Sequence, residues 1–105
     1  MDLHAIIGQR LVFGFQGSAL PESFRQLVRQ YKIGNVILFR HNVVDNAQLR
    51  ALCADIQQLV QSETGHPAFI TIDQEGGMVS RLGADAVVTP SNMAVAATGD
   101  PVNAR

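Results

Sequence analysis

The residues best suited to chemistry form one short run, Asp73-Gln74-Glu75-Gly76-Gly77, which directly follows an apolar segment. Carboxylates at the end of a buried strand are costly unless they are hydrogen-bonded or functional. The adjacent glycines allow the backbone to turn sharply or to approach a ligand closely. The run therefore indicates a site, and its spacing leaves three interpretations open: paired catalytic carboxylates, sugar binding, or a structural role.

In the first interpretation, Asp73 and Glu75 are the two carboxyl groups of a retaining glycosidase, which lie about 5–5.5 Å apart. Residues two positions apart can approach that distance, but both would then lie on the same side of a sugar whose scissile bond they must flank. In the second interpretation a fixed carboxylate accepts hydrogen bonds from sugar hydroxyls. The structural alternative is a helix cap or an ion pair with Arg81, whose planar guanidinium suits a carboxylate or hydroxyl oxygens.

The histidines and the single cysteine give weaker signals. His41 has the chemistry of a general base or a metal ligand, but no HxxxH or CxxC spacing supports a metal site. We therefore predict that His41 is structural or exposed. Cys53 falls on the apolar face of a predicted helix, which favours a small core residue over a nucleophile. Because neither a phosphate loop nor a calcium loop occurs, we expect no cofactor.

Short apolar runs alternate with helical periods along the chain. The predicted strands are Leu11–Phe15, Asn35–Phe39 and Ala68–Ile72. The second and third are continuously apolar, which is typical of parallel strands buried on both faces. Helices are predicted from Pro21 to a stop at Gly34, and from a cap at Asp45. Strand, helix, strand, helix, strand is a right-handed crossover series, and its repeat matches one unit of an eight-fold β/α barrel.

The two ends of the chain carry shorter helical signals. A helix is predicted over Met1–Arg10 with Asp2 as its N-cap, because the apolar residues there share one face. The segment from Met78 to Pro90 has the composition of a loop. Ser91 and Asp100 are then predicted to begin two further short helices.

Composition limits the classes of function. The chain has 105 residues, 47% hydrophobic and 16% charged, so it can bury a core and is not predicted to be disordered. A formal net charge of -1 does not support nucleic-acid binding. No apolar run approaches the roughly 20 residues of a membrane span, so no membrane partner is expected. A lone cysteine and an N-terminus without a secretory pattern lead us to expect a cytoplasmic protein.

A longer pattern at the strand ends resembles a known family. It comprises Gly34-Asn35-Val36-Ile37-Leu38-Phe39, Asn42, Asn46-Ala47-Gln48-Leu49, and Ile72-Asp73-Gln74-Glu75-Gly76-Gly77-Met78-Val79-Ser80-Arg81-Leu82. This pattern resembles the N-terminal part of glycoside hydrolase family 3, in the β-N-acetylhexosaminidase branch that trims N-acetylglucosamine from peptidoglycan fragments. The resemblance extends from about Ile7 to Met93.

The resemblance implies a TIM-like β/α barrel and a retaining mechanism through a covalent glycosyl-enzyme intermediate on an aspartate. In this branch the acid/base is a histidine on a mobile loop. Asp73 matches the family aspartate that binds sugar hydroxyls in the subsite before the cleaved bond. Arg81 matches an arginine that helps to hold Asp73 and the same sugar. His41, which follows Arg40, stands where the family commonly has arginine, and Met78 replaces a longer polar residue.

In the family, the nucleophile, the histidine loop and a lysine-histidine pair all lie further along the chain than the position of Arg105. Residues 1–105 are therefore predicted to be the N-terminal segment of one α/β catalytic domain, with about three parallel strands of the barrel. This segment would supply sugar-binding residues, would be inactive alone, and would self-associate through the open edge of its third strand. The alternative is a stand-alone oligomeric sugar-binding module. The segment does not distinguish hydrolysis from phosphorolysis.

Overall fold

A computed structural model describes residues 2–105, so the first residue of the helix predicted over Met1–Arg10 lies outside the described residues. The helices are α1 Leu3–Gly8, α2 Glu22–Tyr31, α3 Asn46–Thr64 and α4 Asn92–Ala97, with 3-10 turns at Arg40–Asn42 and Pro101–Ala104. The strands are β1 Val12–Phe13, β2 Asn35–Leu38 and β3 Phe69–Ile72. Within the described range no helix is both long and apolar enough to cross a membrane.

The strands form one parallel sheet in the order β1-β2-β3. In this register Val12 pairs with Asn35, and Asn35 pairs with Phe69. Helices α2 and α3 connect consecutive strands. The structure thus confirms three parallel strands with intervening helices, and places the residues after each strand at the same edge of the sheet.

The hydrophobic core lies between one face of the sheet and helices α2 and α3. Its buried members are Phe15, Phe24, Val28, Ile33, Val36, Leu38, Leu52, Ile56, Leu59, Val60 and Ala68. Cys53 is half-buried and packs against this core, as predicted. Burial raises the pKa of the Cys53 thiol, because desolvation disfavours the thiolate.

The opposite face of the sheet is uncovered at β3, which corrects one prediction, whereas every residue of β2 is buried or half-buried. We expected β3 to be buried on both faces, but its side chains alternate between exposed and half-buried. Ile70 and Ile72 pack against the core, whereas the side chain of Phe69 is 77% exposed. The reason is that successive side chains of a strand point to opposite faces, and at β3 the described residues cover only one of these faces. We call the uncovered side the inner face.

The end of α2 differs from the prediction, which placed the helix stop at Gly34. The helix ends at Tyr31, and Lys32 adopts the left-handed conformation with φ 54° while its amide donates to the Val28 carbonyl oxygen at 2.8 Å. Gly34 instead donates its amide to the Gly8 carbonyl oxygen at 2.9 Å, which ties β2 to the end of α1. Gly34 therefore makes a tertiary contact with α1 and does not end α2.

The N-caps follow the sequence more closely. Asp2, Ser91 and Asp100 each accept a backbone amide at the start of a predicted helix or turn. Asp45 accepts the amide of Gln48 at 2.7 Å, as a cap of α3 should. The first predicted strand is shorter than expected, because only Val12 and Phe13 pair with β2.

Candidate functional site

The residues singled out for chemistry lie at the carboxyl end of the parallel sheet. Asp73 directly follows β3, residues 40–42 follow β2, and residues 15–18 follow β1. In parallel α/β folds this is the edge at which ligands bind. The sheet register puts Asp73 on the inner face, since it continues the alternation of Phe69 and Thr71.

Asn42 joins the ends of the first two strands. Its side chain is 0% exposed, and its Oδ1 accepts the Phe39 amide at 2.8 Å. Its Nδ2 donates to the carbonyl oxygens of Phe15 at 3.0 Å and Gly17 at 2.6 Å. Gln48 at the start of α3 extends this network, because its Nε2 donates to the Asn42 carbonyl oxygen at 2.9 Å. Asn42 is therefore a structural residue that fixes the edge on which the site is built.

Replacing Asn42 with alanine is expected to destabilise the chain by about 3 kcal/mol, because the Phe39 amide and the Gly17 carbonyl oxygen lose their side-chain partner and the Phe15 carbonyl oxygen keeps only His41. The matched control is Asn92→Ala, which removes the same group from an exposed position and should change stability by less than about 0.5 kcal/mol. Urea unfolding followed by circular dichroism measures both values. Equal stabilities for the two variants would show that the Asn42 network does not hold the strand ends together.

His41 lies beside this network and is exposed, in agreement with the sequence prediction. Its ring stacks on Phe39, with ring centroids 6.0 Å apart and planes 14° apart. Its Nε2 lies 3.0 Å from the Phe15 carbonyl oxygen, which requires a proton on that nitrogen. His41, Phe39 and Phe15 line a small open cavity of about 200 Å³ at the ends of β1 and β2.

The residues after β3 form a tight turn that depends on two glycines. The Glu75 amide donates to the Val79 carbonyl oxygen at 2.9 Å, and the Gly77 amide donates to the Thr89 carbonyl oxygen at 3.0 Å. Gly76 and Gly77 have positive φ angles of 77° and 56°. A Cβ atom at Gly76 would also overlap the Pro90 carbonyl oxygen. Glycine is thus required here by both backbone conformation and close approach.

The carboxylates of this turn are exposed. Among residues 2–105, neither Asp73 nor Glu75 accepts a hydrogen bond at its side chain or forms an ion pair. The helix cap and the ion pair with Arg81, which were the structural alternative, are therefore not formed in the described part of the chain. Arg81 is half-buried, and its Nε is shielded from solvent without a hydrogen-bond partner.

A cleft of about 330 Å³ opens on one side of this turn. Gln74, Glu75, Thr89 and Pro90 contribute to its walls, whereas Asp73 and Arg81 do not line it. Across the described residues, no group of three or more His, Cys, Asp or Glu side chains is arranged to hold a metal ion.

Local sequence patterns do not identify the residues that hold the loop after the turn. Asp85 accepts the Asn46 amide at 2.7 Å through Oδ2, which ties this loop to the start of α3. Gln74 and Arg40 bind the loop at Arg81 and Leu82. No local sequence pattern reveals these contacts, because the bonded residues are between 7 and 42 positions apart.

Comparison with known sequences identifies the family. The profile described as "Glycosyl hydrolase family 3 N terminal domain" matches residues 4–105. The chain belongs to glycosyl hydrolase family 3. A β-N-acetylglucosaminidase of this family from Paenibacillus sp. str. FPU-7 superposes on 99% of the chain with a TM-score of 0.92 and 38% identity. The three strands and intervening helices of this chain therefore match the N-terminal part of a family 3 barrel, as predicted.

Other family 3 relatives give the same result at similar identity. Beta-hexosaminidase A of Pseudoalteromonas piscicida is 39% identical over 83 residues, which are 77% of this chain. Native NagZ from Neisseria gonorrhoeae has a TM-score of 0.65 and 31% identity over 76% of the chain. The chain spans 20% of the Paenibacillus enzyme, 14% of the Pseudoalteromonas enzyme and 22% of NagZ.

Proposed function

We propose that this chain is the N-terminal, sugar-binding segment of one catalytic domain, that of a retaining β-N-acetylhexosaminidase. The proposed substrate is a peptidoglycan-type fragment with a terminal N-acetylglucosamine. The observation that carries the proposal is the Asp73 carboxylate, which lies at the carboxyl end of β3 without a partner among residues 2–105. An unpartnered carboxylate on the inner face is available to accept hydrogen bonds from sugar hydroxyls.

Asp73 would act by binding and orienting the sugar in the subsite before the cleaved bond. Hydrogen bonds from hydroxyls to a carboxylate are charge-assisted, and those that strengthen in the transition state accelerate the reaction as well as tightening binding. Arg81 would bind the same sugar through its guanidinium, whose planar fork of donors suits hydroxyl oxygens. In this proposal neither Asp73 nor Glu75 is the nucleophile, and both the nucleophile and the acid/base are supplied by residues further along a complete barrel.

A hybrid enzyme tests this proposal. Residues 4–105 replace the matching segment of the Paenibacillus β-N-acetylglucosaminidase, to which the chain is 38% identical. We expect the hybrid enzyme to hydrolyse a chromogenic β-N-acetylglucosaminide, and the isolated 105-residue chain to show no turnover. A hybrid that unfolds cooperatively and yet is inactive would contradict the proposal. Turnover by the isolated chain would contradict the assignment of the catalytic residues to another part of the barrel.

The open inner face also supports self-association of the isolated chain. Phe69 is exposed on β3, whose outer edge is unpaired within the described residues. Sedimentation velocity is expected to show dimers or larger species, and Phe69→Asp should shift them towards monomer. Val88→Asp is the matched control, because Val88 is equally exposed but lies outside the strands. A monodisperse monomer at high concentration would overturn this prediction. Oligomers that bind sugar would favour the stand-alone module.

A further inference from the structure

Arg81 and Leu82 lie in a loop, yet all four of their main-chain polar groups are bonded. Gln74 holds the two amides: its Oε1 accepts from Arg81 at 2.8 Å and from Leu82 at 3.4 Å. The other end of the same side chain donates from Nε2 to the Ser80 hydroxyl at 2.8 Å. One glutamine side chain therefore spans the turn that separates Asp73 from Arg81.

Arg40 holds the same two residues from the side of β2. Its Nη1 donates to the Leu82 carbonyl oxygen at 2.7 Å and to the Arg81 carbonyl oxygen at 3.3 Å. Loop residues have no secondary-structure partners for these groups, so side chains must supply them. Gln74 and Arg40 together supply the hydrogen bonds that these backbone groups would make in a helix or a sheet.

We propose that Gln74 and Arg40 are positioning residues that set the distance between Asp73 and Arg81. The inference rests on the proposed function, in which Asp73 and Arg81 bind one sugar. Gln74 adjoins Asp73 in the chain and binds the backbone of Arg81, so its side chain fixes the second group relative to the first. Arg40 ties Arg81 and Leu82 to the end of β2. Neither residue needs to touch the substrate.

Amide hydrogen exchange on the 105-residue chain tests the contact itself, independently of any sugar. Gln74→Leu keeps the approximate volume but removes the acceptor, and the Arg81 and Leu82 amides should then exchange about tenfold faster. Gln74→Glu keeps an oxygen at the same position and should restore protection. Amides of β2 should be unchanged in both variants. Fast exchange at Arg81 and Leu82 in the parent chain would overturn the proposed contact.

Kinetics of the hybrid enzyme test the consequence for the sugar. Gln74→Leu and Arg40→Met should each lower kcat/KM for a β-N-acetylglucosaminide by about tenfold, with the unfolding midpoint little changed. Gln74→Glu should recover most of the loss, which a general loss of stability would not predict. Unchanged kcat/KM in Gln74→Leu would overturn the positioning role. An inactive but folded parent hybrid would instead contradict the proposed function, while the exchange result would still decide the contact.

Discussion

Replacing Asp73 with asparagine in the hybrid enzyme should lower kcat/KM for a β-N-acetylglucosaminide by about two orders of magnitude. The amide keeps the shape of the carboxylate but loses its charge and one acceptor, so the charge-assisted hydrogen bonds to the sugar hydroxyls become weaker. A loss of about 2–3 kcal/mol in transition-state binding corresponds to this factor. Steady-state kinetics with a chromogenic substrate measure it.

Two control variants separate this effect from other interpretations. Asp55→Asn makes the same chemical change at an exposed position on α3 and should leave kcat/KM unchanged. Glu75→Gln should have a much smaller effect than Asp73→Asn, because Glu75 has no assigned contact with the sugar. Complete loss of activity in both Asp73→Asn and Glu75→Gln would instead support a pair of catalytic carboxylates.

Replacing Gly8 with alanine should destabilise the chain by about 3 kcal/mol, although helix propensity alone predicts a gain of up to about 1 kcal/mol. Gly8 is the last residue of α1 and is buried. A Cβ atom there would overlap the carbonyl oxygen of Lys32 and would lie 2.6 Å from that of Tyr31. Backbone atoms cannot move aside as a flexible side chain can, so α1 would separate from the end of α2 and from Gly34. Urea unfolding measures the change.

Gly65→Ala is the matched control for this substitution. Gly65 ends α3 with a φ of 80°, and a Cβ atom there would have open space around it. Its substitution should therefore cost only the strain of the left-handed conformation, about 1 kcal/mol. If Gly8→Ala proved as stable as the parent chain, the contact between α1 and the end of α2 would not exist as described.

Local chemistry was sufficient to predict much of the fold and the position of the site. Three apolar runs separated by helical periods specified the parallel series, because periodicity reports which faces are buried. Capping residues such as Asp45 and Ser91 accept a backbone amide three positions along the chain, so the sequence alone identifies them. Asp73 could be placed at a strand end because it directly follows the apolar run of β3, while its sugar-binding role remains a prediction.

Features that depend on distant contacts could not be predicted in this way. Glycine is the residue type that commonly ends a helix, but the position of Gly34 is determined by a contact with α1. Lys32 ends the helix instead. The exposure of Phe69 depends on what covers the inner face, which the residues of β3 do not encode. Arg40 reaches across 42 positions to Leu82, and no local pattern reports such a pairing.

The most direct test of the central claim is a crystal structure of the hybrid enzyme with N-acetylglucosamine bound. We predict that a carboxylate oxygen of Asp73 lies about 2.5–3.0 Å from a hydroxyl of the sugar in the subsite before the cleaved bond, as charge-assisted hydrogen bonds do. Arg81 should approach the same ring. A bound sugar in that subsite with Asp73 out of hydrogen-bonding range would contradict the claim that this segment supplies the sugar-binding carboxylate.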